Sequence, residues 1–244
     1  MDRNDARMVN FLHQVAQKSA EHHLLVDFHG VYPCLGITRR YPNVMTYEGV
    51  IGLEYNKWST RATVTHDLII PYLRMWAGPM DYTPGAMLNA QAETFHANHK
   101  EPGSQGTRSH QVAMYIVYES PLQMLSDSPT KYEENTPSFE FINRIPTTWD
   151  ETIPLEGKIG EYLVVARRSG KTWYVGGLNG DEPRELKVKL PPAINDHKPI
   201  IIHADGENAF KEGKDFRLDD ETADKDGPLT IKMAKGGGFA AIIE

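Results

Sequence analysis

Cysteine is nearly missing from this chain. Cys34 is the single one in 244 residues, so no disulfide can close within the chain and the redox compartment stays open. No apolar run approaches the roughly 20 residues that a membrane-spanning helix needs. Basic stretches with interleaved aromatics are also lacking, and the net charge is −7. Neither nucleic acid nor membrane is therefore an expected partner. No glycine-rich loop leads into a helix to cradle phosphate; Gly236-Gly237-Gly238 reads as a turn. Zinc spacing is absent too: His22 and His23 would face opposite ways, and His96 and His99 sit in a long polar loop. Met1–Asp5 has no signal-peptide character. What remains is a chain with 40% hydrophobic residues, enough for one large domain or two smaller ones with real cores.

The order of elements changes partway. Met8, Phe11, Leu12, Val15 and Ala16 fall on one helical face, so a helix is expected from about Asp5 to Glu21. A chain that starts in a helix looks cut from a larger protein. Leu24–Phe28 is a short apolar run fit for a buried parallel strand, with His29-Gly30 at its C-terminal end. Further strands are expected at Asn43–Tyr47, Met75–Asp81 and Pro121–Asp127, and helices at Thr63–Leu73, Arg108–Tyr118 and Ser138–Asn143. Gly85–Gly106 reads as a long loop. After Pro146 only strands are expected: Glu161–Arg167, Thr172–Leu178, Glu185–Leu190, Pro199–His203, Leu229–Met233 and Phe239–Ile243. Asn179-Gly180 is a hairpin signal between two of them. Lys214–Asp226 reads as a solvated charged loop. The expected architecture is α/β: the C-terminal half of a (β/α)8 barrel over residues 1–146, then an antiparallel β-sandwich over 147–244.

Glu48 and Glu54 stand six residues apart among Tyr47, Val50, Ile51, Leu53, Tyr55 and Trp58. A carboxylate held near apolar surface needs either a raised pKa or a compensating cation. His29, Glu48, Glu54 and Asp81 all fall at or just beyond expected strand ends, where barrel enzymes keep their chemistry. Three carboxylates and an imidazole suit calcium or carboxylate acid/base catalysis. Asp27, inside its strand, reads as an interior acid supporting the others. Tyr32, Tyr47, Tyr55, Trp58, Trp76 and Tyr82 cluster nearby, as core packing or as faces for sugar rings.

Val26-Asp-Phe-His-Gly30, Arg40-Tyr-Pro-Asn-Val44, Glu48-Gly-Val-Ile-Gly-Leu-Glu-Tyr-Asn56, Ala77-Gly-Pro-Met-Asp-Tyr-Thr-Pro-Gly85 and Ser109-His-Gln-Val-Ala113 occur in that order. Pro121-Leu-Gln-Met124 and Pro146-Thr-Thr-Trp-Asp-Glu-Thr152 continue the series. In these motifs the chain resembles glycoside hydrolase family 97, calcium-dependent α-glucosidases and α-galactosidases of gut Bacteroidetes. The resemblance implies the later part of a three-part protein: half of the catalytic barrel plus the last sandwich, with the N-terminal part missing. It implies that Glu54 protonates the glycosidic oxygen, that Glu48 and Glu54 bind Ca2+, and that His29 and Asp81 contact an oligosaccharide or glycoside. A periplasmic location is implied for the intact family member.

Two departures bear on the activity. The inverting α-glucosidase branch carries glutamate directly after the strand-five histidine, where this chain has Gly30. Glycine resembles the retaining, α-galactosidase branch. That branch takes its nucleophilic aspartate from a Val-Asp-Phe-Met-Asp-Arg-like run, and this chain begins Met1-Asp2-Arg3. Asp2 matches the second acid of the run, so the nucleophile is expected upstream of Met1. A retaining glycosidase needs two carboxyls about 5–5.5 Å apart, and Glu54 supplies one. The expectation is a retaining α-galactosidase, inactive as this chain alone. The alternatives are an α-glucosidase of the same family, or a truncated or carbohydrate-binding protein without catalysis.

Overall fold

Asp5 opens the first helix by accepting the Met8 amide at 3.0 Å, a donor that a helix start leaves unpaired. This helix, α1 (Ala6–Glu21), sends Leu12 and Ala16 into a small core with Val26, Phe28, Ile37, Val44 and Tyr47. In the computed structural model, residues 5–33, 36–194, 198–222 and 227–244 are described. Asp2, Cys34 and the 223–226 end of the charged loop lie outside them.

Strand β1 (Val26–Phe28), helix α2 (Ile37–Arg40) and strand β2 (Val44–Tyr47) follow α1. β1 and β2 pair in parallel, with Phe28 opposite Tyr47. A third parallel segment adds one bridge, from Tyr47 to Met80. The Asp81 amide then donates to the Tyr47 carbonyl at 2.9 Å. The three neighbouring segments run out at His29, Glu48 and Asp81.

Helix α3 (Val64–Leu73) precedes that third segment and contains Pro71. A proline inside a helix leaves the carbonyl four residues back without its donor. Here the Tyr118 hydroxyl supplies it, donating to the Asp67 carbonyl at 2.9 Å. The helix therefore runs past the proline and tightens into a 3-10 turn, Arg74–Ala77. These residues were expected to open a strand; only Met80 keeps a strand-like partner. The strand expected at Pro121–Asp127 is irregular chain, and Asp127 accepts the Met87 amide at 2.6 Å. The expected 85–106 loop holds a two-residue parallel pair, β3 (Asn89–Ala90) and β4 (Ser104–Gln105). Helices α4 (Arg108–Val117), α5 (Pro129–Glu133) and α6 (Thr136–Asn143) come next.

The remaining elements are strands: β5 (Glu151–Lys158), β6 (Tyr162–Ser169), β7 (Thr172–Asn179), β8 (Arg184–Val188), β9 (Pro199–Asp205), β10 (Phe216–Thr222), β11 (Leu229–Met233) and β12 (Gly238–Ile243). Six form one sheet in the order β10-β9-β12-β7-β6-β5, all antiparallel. β8 and β11 form a separate antiparallel ribbon. Ribbon and sheet enclose a sandwich core of Val164, Val175, Val188, Ile202, Ile231 and Phe239, among others.

The other face of the six-stranded sheet is covered by α4, all of whose residues are buried. Tyr174, Ala240 and Ile242 meet Val112 and Ile116 there. Gly176 permits the approach: a Cβ at that position would stand 2.8 Å from the Ile116 Cβ. Because both faces are covered, β6, β7 and β12 read as continuous apolar runs rather than alternating ones.

Candidate active site

Each candidate side chain is set by the end of an element. His29 follows β1, Glu48 follows β2, and Asp81 follows the bridge residue Met80. Glu54 sits on a 3-10 turn, Leu53–Lys57, whose first amide donates to the Tyr82 carbonyl at 3.0 Å. The glycines between Glu48 and Glu54 make this possible. Gly49 has φ +43°, and a Cβ there would lie 2.6 Å from the Pro33 Cδ. At Gly52 a Cβ would press on the Tyr82 carbonyl at 3.2 Å.

These four residues come together, as their positions at strand ends led one to expect. His29 Nδ1 lies 2.7 Å from Asp81 Oδ2. Its Nε2 lies 3.7 Å from Glu54 Oε1 and 3.9 Å from Glu48 Oε2. Glu48 Oε2 also accepts the Gly30 amide at 2.6 Å, and Gly30 reaches that position with φ +70°. The side chains differ sharply in exposure: Asp81 is 2% exposed, Glu48 10%, Glu54 36% and His29 48%. Glu54 and His29 therefore face an incoming molecule, with Glu48 and Asp81 behind them.

Behind Asp81 stands Asp27. Asp27 Oδ1 and Asp81 Oδ1 find no donor among the described residues. Burial, and then the hydrogen bond and charge of Asp81, push the Asp27 carboxyl up to about 7. Burial also raises Glu48, against the lowering effect of the His29 charge and the Gly30 amide. Burial pulls His29 down, but the Asp81 hydrogen bond and the charges of Glu48, Asp81 and Glu54 outweigh it, and the imidazolium is held above its ordinary pKa.

Two recesses meet at Glu54. One, of about 160 Å3, is lined by His29, Glu54, Lys57, Thr83 and Asp127 among others. The other, of about 400 Å3, is lined by Tyr32, Glu48, Glu54, Tyr55 and Trp58. Among the described residues, two groups of side chains are disposed to hold a metal: His29 with Glu48 and Glu54, and His29 with Asp27 and Asp81. His22, His23, His96 and His99 are in neither. The first group offers two carboxylates on one opening, hard oxygen donors of the kind calcium prefers. Sequence reasoning did not find Lys57, Thr83 or Asp127. Thr83 has one available signal, its place just after Asp81; its φ of +57° is unusual for a β-branched residue.

Comparison with known proteins points to one family. A family model described as glycosyl-hydrolase 97 C-terminal, oligomerisation, matches residues 148–244, and one described as glycoside hydrolase 97 matches residues 1–50. A retaining alpha-galactosidase from Bacteroides thetaiotaomicron is 44% identical over 246 residues, covering 100% of this chain and 37% of that protein. A probable retaining alpha-galactosidase from Streptomyces bingchenggensis is 30% identical, covering 99% and 35%. Among solved structures, a family 97 enzyme from Pseudoalteromonas sp. strain K8 in complex with panose superposes with TM-score 0.85 at 31% identity, covering 96% and 36%. A beta-arabinopyranosidase superposes with TM-score 0.80 at 27% identity, covering 93% and 36%. The chain thus spans little more than a third of the relatives it matches.

Proposed function

The chain belongs to glycoside hydrolase family 97, and we propose that its site is the acid/base half of a retaining α-galactosidase. The observation that carries this reading is the asymmetry around His29: Glu54 stands 36% exposed where two recesses meet, while Asp81 is 2% exposed behind the imidazole. In this reading Glu54 protonates the leaving oxygen and then takes a proton from the water that releases the sugar. His29 contacts the bound sugar, held by Asp81 in one tautomer with Nδ1–H donating. Asp81, buried at this point, reaches the substrate through His29. The attacking aspartate belongs to residues outside this chain. Residues 1–146 are proposed as the second half of a (β/α)8 barrel whose strand ends carry the site, with 147–244 as the following sandwich. Export to the periplasm is part of the same proposal.

Glu48 and Glu54 would hold calcium, with its remaining oxygen ligands coming from water, sugar hydroxyls or residues outside the chain. Bound there, calcium would offset the clustered negative charge and orient sugar hydroxyls.

An α-glucosidase of the same family is the second reading, favoured by the panose complex of the Pseudoalteromonas enzyme. Gly30 speaks for the first, since it leaves no side chain where the inverting branch is expected to carry glutamate. The test is hydrolysis of p-nitrophenyl α-galactoside and α-glucoside, with calcium and with chelator. This chain alone is expected to be inert. Joined to the upstream part of the Bacteroides relative, it is expected to cleave the α-galactoside, and Glu54→Gln is expected to abolish this. Undiminished turnover by Glu54→Gln would refute the reading, and preference for the α-glucoside would favour the second.

A further inference from the structure

Arg74 opens the 3-10 turn after α3 and lines neither recess beside Glu54. Its guanidinium nevertheless binds the main chain under the site. Nη2 donates to the Tyr47 carbonyl at 2.8 Å and to the Pro79 carbonyl at 3.2 Å. Nε donates to the Glu48 carbonyl at 3.2 Å, and Nη1 to the Gly78 carbonyl at 3.0 Å. Tyr47 and Glu48 end one parallel segment; Gly78 and Pro79 lead into the next. Backbone pairing between the two stops at Met80 and Asp81. Gly49, with φ +43°, follows the bridge on the first segment, and Gly78, with φ +109°, precedes it on the second, so the paired stretch is bounded by a turn at either end. One planar fork of donors ties the two segments there. Among the described residues Arg74 makes no ion pair with a carboxylate, so its donors are committed to shaping the backbone.

We propose that Arg74 is a positioning residue that sets the separation of Glu48 from the Asp81–His29 pair by bridging the segments that carry them. The proposal deepens the reading above and rests on it only where a metal at Glu48 and Glu54 is concerned. Lysine cannot replace Arg74. Its ammonium is a compact point charge without the planar fork, and it cannot reach four carbonyls on two segments at once.

The experiment uses this chain as it stands, as wild type, Arg74→Lys and Arg74→Ala. Two quantities are read: the imidazole 15N and 1H resonances of His29, assigned with a His29→Gln variant, and the affinity for terbium(III), a luminescent substitute for calcium. Both variants are expected to shift the His29 resonances and leave those of His203 in place. They should weaken terbium binding about 10- to 100-fold, the usual cost of losing a residue that orients metal ligands. Unmoved His29 resonances would overturn the proposal. So would shifted resonances with unchanged terbium affinity, since Glu48 would then have kept its place. Should Arg74→Ala fail to fold, Arg74→Lys decides. Loss of the fold in both contradicts the proposal, because the contacts would then hold the chain rather than the site. If the wild type binds no terbium, the calcium reading fails by itself, and the His29 resonances still decide the role of Arg74.

Discussion

His203 shows at the scale of one residue how much polarity this core carries without charge. It is fully buried on β9, with Nδ1 3.1 Å from the Ser109 hydroxyl and Nε2 3.0 Å from the Ser138 hydroxyl. The Phe216 ring stacks on it at 4.5 Å. Burial, and then the nearby Arg108 charge, lower its pKa to about 3 from the ordinary 6.5. The proton therefore binds the unfolded chain first as pH falls. The stability His203 contributes is complete above pH 6.5 and is lost as pH falls towards 3. Asp205, two residues on, runs the other way: burial raises its carboxyl to about 6 from 3.8, so it favours the fold increasingly as pH falls across that range. A comparison with His203→Gln isolates the histidine. In urea unfolding, the stability advantage of the wild type over this variant should shrink by about 2 kcal/mol between pH 7 and pH 5. An advantage independent of pH would mean that His203 takes up its proton in the fold as readily as in the unfolded chain.

At the scale of elements, α4 and the sheet fit closely. A Cβ at position 176 would stand 2.8 Å from the Ile116 Cβ and 3.1 Å from the Ala113 carbonyl. Gly176→Val must therefore push helix and sheet apart, and overpacking of this kind costs about 1–3 kcal/mol. The check is the urea midpoint, which should drop; an unchanged midpoint would show that the interface yields freely. The same scale explains which elements could be read from the sequence. α1, α3 and α4 show helical spacing, and β6, β7, β9, β11 and β12 show apolar runs, so these were legible. β5 and β10 were not, and they are the two edges of the sheet. An edge strand is protected from further pairing by charge, proline and bulges rather than by apolar content. β5 carries Pro154 with a register shift beside it, and β10 reads Phe-Arg-Leu-Asp-Asp-Glu-Thr. The site divided in the same way. His29, Glu48 and Asp81 were legible as polar residues closing apolar runs. Arg74 acts through main-chain carbonyls brought together by the fold, and no local pattern marks that.

At the scale of the molecule, the site and the sandwich share a core. Leu53 beside Glu54, and Met80 and Tyr82 flanking Asp81, belong to one buried cluster with Leu68, Leu163, Val165 and Leu178. Leu163 and Val165 lie on β6, and Leu178 on β7. The six-stranded sheet thus backs the turn that carries the proposed acid, a mechanical reason for the two parts to occur together. Sheet residues that face α4 would be uncovered in a sandwich cut free near residue 147, which weighs against an independent binding module.

The proposed role of Glu54 as the acid/base of a retaining enzyme can be tested by rescue. Glu54→Ala is made in this chain joined to the upstream part of the Bacteroides relative, and assayed on α-galactosides with poor and good leaving groups, with and without azide. A loss of about 10²- to 10⁴-fold is expected on the poor leaving group. A much smaller loss is expected on the dinitrophenyl substrate, which needs no protonation to depart, and azide should restore turnover by giving α-galactosyl azide of retained configuration. Equal losses on both substrates, with no azide product, would contradict that role.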